Sequence, residues 1–216
     1  MDVQNIYARR FNPDLHIRDA MWKILCHDFF QKYIPDNSRV LEIGAGYCEF
    51  INNIRADHKT AVDINPDIKD HAGAGVEVVL NSASQMGAVP NNSVDVVFAS
   101  NFFEHLTRDE IVATFHEVYR VLVPAGIFIV LQPNIRFCAR DYWMFFDHIT
   151  PIDDRAFVEV LEINGFEILE VIDRFLPYST KSRLPKSIFL IRLYLRLRIA
   201  WRIFGQQSFI LSRKPK

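Results

Sequence analysis

Val40-Leu41-Glu42-Ile43-Gly44-Ala45-Gly46-Tyr47-Cys48-Glu49-Phe50 reads, in one run, as a buried strand, a glycine turn and the start of a helix. Three apolar residues around a single glutamate have the near-continuous hydrophobicity of a parallel strand covered on both faces. Glycine has no Cβ to hold a ligand or a neighbouring chain away, so Gly44 and Gly46 permit close backbone approach and positive φ. The apolar run Thr60-Ala61-Val62 then ends on Asp63, where a second parallel strand would set a carboxylate beside the turn. Strand, glycine turn, helix, strand and acid together make a nucleotide-binding pattern. A dinucleotide site asks for Gly-x-Gly-x-x-Gly, and here the third position is Glu49, a poor neighbour for a pyrophosphate.

Outward from this unit, strands alternate with helices. Val40 to Ile43, Thr60 to Asp63, Val76 to Leu80, Val94 to Ala99 and Ile127 to Leu131 are predicted strands, and crossovers of this length imply a parallel sheet. Thr107-Arg108-Asp109-Glu110 is a capping box for a helix whose apolar face is Ile111, Phe115, Val118, Tyr119 and Leu122, with Pro124 closing it and Gly126 opening the next strand. Asp153 or Asp154 caps a further helix ending at Asn164-Gly165, before strands at Phe166 to Ile172 and Ser208 to Leu211. The chain is expected to be one domain, 1–216. Residues 1–36 form an N-terminal helical lid, with Ala20, Ile24, Leu25 and Phe29 at helical spacing before Pro35. Residues 39–172 are the core, 173–207 a basic amphipathic insertion and 208–211 the last strand.

Half of the 216 residues are apolar, which suits a globular chain with a sizeable core. Cys26, Cys48 and Cys138 are odd in number and widely spaced, which fits a reducing compartment. The polar start Met1-Asp2-Val3-Gln4-Asn5 has no apolar signal core, so a cytoplasmic location is expected. Net charge is −1, but Arg174 to Phe204 holds eight basic residues and no acidic one. From Ser187 to Phe204 every charge is an arginine, and on a helical wheel Arg192, Arg196, Arg198 and Arg202 fall within about 160° of one another. Residues 187–204 therefore read as a basic amphipathic helix, either a peripheral membrane contact or a helix packed on its own sheet or in a dimer with its arginines in solvent.

Glu42-x-Gly44-x-Gly46 at the end of the first strand resembles motif I of the class I S-adenosylmethionine-dependent methyltransferases of small-molecule type. Ser82-Ala83, Asn92 to Leu106, and Val118-Tyr119-Arg120-Val121-Leu122-Val123-Pro124-Ala125-Gly126 match that family's later stations in order, over about 90 residues. The resemblance implies an α/β Rossmann-like fold: a seven-stranded, mostly parallel sheet of order 3-2-1-4-5-7-6, the last strand antiparallel, with helices on both faces. It implies S-adenosylmethionine as cofactor, held by Glu42, Gly44, Ala45, Gly46, Asp63, Ile64, Ser82, Ala83, Ser100 and Asn101, with Arg10 as a clamp from the lid. Val123 and Ala125 replace the family's usual Lys and first Gly in the last of these stations, and two further departures fall at the cofactor positions. Ser82 stands where an aspartate commonly meets the adenine amino group, and Cys48 stands at a glycine position where positive φ is costly for a side chain. They leave open a second reading, a binding or regulatory module without catalysis.

The acceptor side is read from Tyr142 to Pro151, after the fifth strand. Its aromatics would wall an apolar pocket, and Asp147 with His148 would supply a general base for a hydroxyl acceptor such as a sugar or lipid-linked glycan intermediate. His105, in the loop after the fourth strand, is a further catalytic candidate. No metal is expected, since no Asp, His and Glu stand at metal-ligand spacing along the chain. Nucleic acid is excluded as a partner by the charge balance and by the lack of Asp/Asn-Pro-Pro-Tyr after the fourth strand.

Overall fold

The structure is a computed structural model, and it describes residues 15–178 and 187–216. Strands β1 (Arg39–Ile43), β2 (His58–Asp63), β3 (Val76–Leu80), β4 (Val94–Ser100), β5 (Leu122–Pro133), β6 (Glu167–Ile172) and β7 (Gln207–Arg213) form one sheet of order β3-β2-β1-β4-β5-β7-β6. Pairs within β3-β2-β1-β4-β5 are parallel, whereas β7 runs antiparallel between β5 and β6. The expected order and the antiparallel last strand are both present.

The side-chain alternation of the strands divides the core in two. Val40, Val96, Phe98, Ile129 and Leu131 point to one face, where helices α1 (Leu15–Asp28) and α2 (Glu49–Asn53) cover them with Trp22, Leu25 and Phe50. Leu41, Ile43, Val97, Ala99, Phe128 and Val130 point to the other, under α4 (Arg108–Val121) and α6 (Asp154–Ile163). A short helix α3 (Ile68–His71) follows β2, and α5 (Ile135–Tyr142) follows β5.

The capping box at Thr107 is formed reciprocally: Thr107 Oγ1 accepts from the Glu110 amide and Glu110 Oε2 accepts from the Thr107 amide. Pro124 plays a different part from the one expected. The helix is already closed at Leu122, and Pro124 lies in the irregular start of β5, where Ala125 takes φ 64 and the register with β4 shifts between Val94 and Val96. The N-terminal helix also stops early, at Asp28, with a 3-10 turn Phe30–Tyr33 filling the distance to Pro35.

The basic insertion is two helices rather than one, α7 (Ile188–Arg196) and α8 (Arg198–Phe204), broken at Leu197. At the break the indole Nε1 of Trp201 donates to the Tyr194 carbonyl at 2.8 Å, which also accepts from the Leu197 amide, so this helix-end acceptor is satisfied.

Candidate active site

All five parallel strands end at one edge of the sheet, and the order reverses between β1 and β4, the place where open sheets of this kind bind their ligands. At the end of β1 the chain turns through Gly44 at φ 62 and Gly46 at φ 52. Two amides of the turn, those of Gly44 and Ala45, donate to the Val62 carbonyl at the end of β2. Asp63 fixes the rest: its Oδ2 accepts from the Gly46 amide and its Oδ1 from the Asn65 amide, both at 2.8 Å. Burial pushes the Asp63 carboxyl up, and the amides of Asn65, Gly46 and Ile64 oppose that rise. Three amides on a carboxylate of four lone-pair sites leave it one acceptor position, the kind that a ribose hydroxyl requires. Beside it, at the ends of β2 and β3, Ile64 and Leu80 are large apolar residues left 64% and 42% exposed, an apolar ledge of the kind that takes a purine face. These residues fit the adenosine part of the implied cofactor.

Glu42 lies beneath the turn rather than at its mouth. It is buried, and its Oε2 accepts from the Ile51 amide at 3.0 Å, tying the first turn of α2 to β1. Burial holds its carboxyl well above the ordinary range; the Ile51 amide works against this, and Glu49 and Asp63 add to it. A carboxyl whose pKa is higher in the folded state favours folding at low pH and loses that contribution as pH climbs above 4.5, its ordinary value. Glu42→Gln is therefore expected to raise Tm more at pH 8 than at pH 5. Melting curves at the two pH values check this, and an equal shift at both would rule out a neutral carboxyl.

Cys48 does take the positive φ that its glycine position asks for, φ 59 and ψ 26, as the residue preceding α2. A side chain there costs about 1–2 kcal/mol. The conformation is retained because the fully buried thiol is packed in the core and the Cys48 amide donates to the Ala45 carbonyl at 2.7 Å. Burial pushes this thiol up to about 12, which makes it inert. Glu49 is neutralised from α1: Arg18 makes a bidentate pair with it at 2.6 Å. Arg10 lies outside the described residues.

Ser82 uses its hydroxyl within its own turn, 2.8 Å from Ser84 Oγ and accepting from the Ser84 amide, while Ala83 is buried in the core. Asn101 takes φ 48 at the end of β4, its amide donating to the Leu131 carbonyl and its side chain to Ser100 Oγ. Phe102, which the sequence did not single out, lays its ring against Gly44, so that a Cβ there would stand 2.3 Å from Phe102 Cδ2.

The acceptor-side candidates are brought together by stitching between two loops. The Glu104 carbonyl accepts from the amides of Ile149 and Thr150, and Thr150 Oγ1 donates to the Leu106 carbonyl. This places His105 Nδ1 3.3 Å from Asp147 Oδ2 and 3.1 Å from the Asp147 carbonyl. Asp147 thus partners His105, where the sequence suggested a pair with its neighbour His148. His148 stands edge-on to the His105 ring, centroids 4.9 Å apart, among Tyr142, Phe145 and Tyr178. The expectation that no metal ligands cluster also needs correction among the described residues. Glu104, His105 and His148 each offer a ligand atom, all within 4.8 Å of one another. They come from two separate loops, so spacing along the chain could not show them.

The methyltransferase-domain family profile matches residues 41–130, the span that runs from the glycine turn through β5. Over that span the chain is similar to the methyltransferase domain, and its sheet has the order of the class I S-adenosylmethionine-dependent methyltransferases. The cofactor this match indicates is S-adenosylmethionine. The fold is shared with the S-adenosylmethionine-dependent methyltransferase of Archaeoglobus fulgidus, at TM-score 0.65 and 23% identity over 89% of this chain and 94% of that one. A methyltransferase from Methanosarcina mazei follows at TM-score 0.63 and 15% identity, over 86% and 96%. The 4+2-cyclase SpnF, at TM-score 0.60 and 16% identity over 91% and 80%, shows that likeness of fold does not fix the reaction. No curated protein matches the chain.

Asp63→Ala is expected to weaken the cofactor by ~1–3 kcal/mol, through loss of the ribose acceptor and of the Gly46 tether. Titration calorimetry with S-adenosylhomocysteine reads this directly, and unchanged affinity would remove Asp63 from the site.

Proposed function

We propose that this methyltransferase acts on a hydroxyl oxygen of a small molecule, a sugar or a lipid-linked glycan intermediate. The observation that carries the reading is the His105–Asp147 pair beyond the end of β4. His105 Nδ1–H donates to Asp147, which leaves the Nε2 lone pair to take the acceptor's proton. Asp147 orients the ring and stabilises the imidazolium that forms. Tyr142, Phe145 and His148 wall the cluster, and the exposed rings of Trp143 and Phe146 on the same loop offer flat apolar faces suited to the face of a sugar. The bound cofactor supplies an electrophilic sulfonium methyl, so positioning and removal of one proton are what the chain must add.

The test is methyl-labelled S-adenosylmethionine offered with hydroxyl-bearing sugars, sugar nucleotides and polyprenyl-linked saccharides. Label on an acceptor oxygen with matching S-adenosylhomocysteine is the expected result. Cofactor binding without acceptor-dependent turnover would favour a non-catalytic module, in line with the departures at Ser82 and Cys48. Proton removal by His105 further predicts a rate unchanged after dialysis against a chelator. Loss of rate restored by a divalent metal would instead assign Glu104, His105 and His148 to an ion.

A further inference from the structure

We propose that the paired helices α7 and α8 lie on an anionic lipid bilayer and hold the carboxyl edge of the sheet against it. Their inner side is anchored to the protein. Trp201 is buried against Phe29 and Phe175, the Tyr194 hydroxyl donates to the Phe175 carbonyl, and Arg192 reaches Asp28 at 3.3 Å. Their outer side carries large apolar residues in water: Phe189 is 72% exposed, Ile199 62% and Ile203 59%, with Leu193 and Leu197 also outside. A soluble chain does not gather so many on two adjoining short helices without a use for them.

Charge selects the occupant. Arg196, Arg198 and Arg202 are exposed between these apolar residues, and none of the three has an acidic partner among the described residues. No acidic residue occurs from Ser187 to Phe204. An apolar surface interleaved with arginine matches the boundary of headgroup and acyl chain in an anionic leaflet, where guanidinium meets phosphate while the apolar side chains enter the hydrocarbon. Among the described residues no helix is long and apolar enough to cross a membrane, so the contact is with the surface.

The attachment points give the contact a use. The insertion leaves β6 at Ile172 and re-enters the sheet at Gln207, which pairs with Pro133 at the carboxyl end of β5. Both ends therefore lie at the edge that carries Asp63 and Asn101. A bilayer held there presents lipid-borne hydroxyls to the site, a narrowing of the acceptor that rests on the function proposed above.

Vesicle sedimentation of the full chain, without cofactor or acceptor, tests the docking separately from the chemistry. Vesicles containing phosphatidylglycerol should carry the chain down, and pure phosphatidylcholine should not. Arg196→Gln/Arg198→Gln/Arg202→Gln should weaken binding about 100-fold. Ile199→Ser/Ile203→Ser, with the arginines intact, should weaken it as well, and an unchanged circular dichroism spectrum checks that both variants are folded. Equal sedimentation with neutral and anionic vesicles, or none with either, would overturn the proposal. So would a stable dimer in solution that is lost in the Ile199→Ser/Ile203→Ser variant, since the apolar side would then be covered by a second copy.

Discussion

Replacement of His105 by alanine is expected to lower methyl transfer to the hydroxyl acceptor by about 10²–10⁴-fold while leaving cofactor affinity unchanged. The magnitude follows from what the residue does. In the reaction proposed above the hydroxyl must lose its proton as the new bond forms, and with Nδ1 of His105 engaged by Asp147 it is Nε2 that would take it. Asp147→Asn should cost less, since the Asp147 carbonyl still accepts from Nδ1 at 3.1 Å. The double variant should be little worse than His105→Ala alone, as expected for residues that act as one unit. Initial rates with a fixed saturating cofactor measure this. Full activity in His105→Ala would place the base elsewhere, and His148 would be the next residue to change.

Gly44→Ala is expected to remove cofactor binding and to lower stability by about 2–5 kcal/mol. Two effects add. Alanine at φ 62 costs about 1–2 kcal/mol. Its Cβ would also fall 2.3 Å from Phe102 Cδ2, an overlap that a packed ring can relieve only by moving, at about 1–3 kcal/mol. Either movement displaces the Gly46 amide from Asp63 or Asn101 from the end of β4. For a chain of this size the shift in Tm is roughly 4–20 °C. Adding Phe102→Ala should relieve the overlap but not the φ cost, so calorimetry and melting curves of the single and double variants separate the two terms. A Gly44→Ala protein that melts and binds like the wild type would refute the close packing of Phe102 on the turn.

Much of the fold was legible because its signals are local. Short apolar runs located the strands, the Thr107–Glu110 capping box located a helix start to within one residue, and the glycine turn with Asp63 located the edge where the parallel strands end. The misreadings also have local causes. Pro124 looks like a helix stop in sequence, but Leu122 had already turned extended to begin β5 with a bulge. A continuous helical wheel from 187 to 204 could not include the break at Leu197, where the Trp201 indole bonds the Tyr194 carbonyl.

The acceptor side was legible only as a set of residues. Asp147 and His148 are neighbours in the chain and invite pairing, yet Asp147 meets His105 because amides at Ile149 and Thr150 bind the Glu104 carbonyl. Phe102 and Leu80 gave no sign of their roles, which depend on a ring lying over a turn and on the end of a strand left uncovered.

The sequence by itself determined the class of sheet, the glycine turn and the acidic partner at Asp63, because apolar runs, turn chemistry and the spacing between strand ends are properties of short stretches. Only the tertiary structure decided which histidine pairs with Asp147, how Glu42 is buried beneath the turn, and which side of α7 and α8 faces outward. Those depend on hydrogen bonds and burial between segments far apart in the chain, and one-dimensional spacing has no record of them.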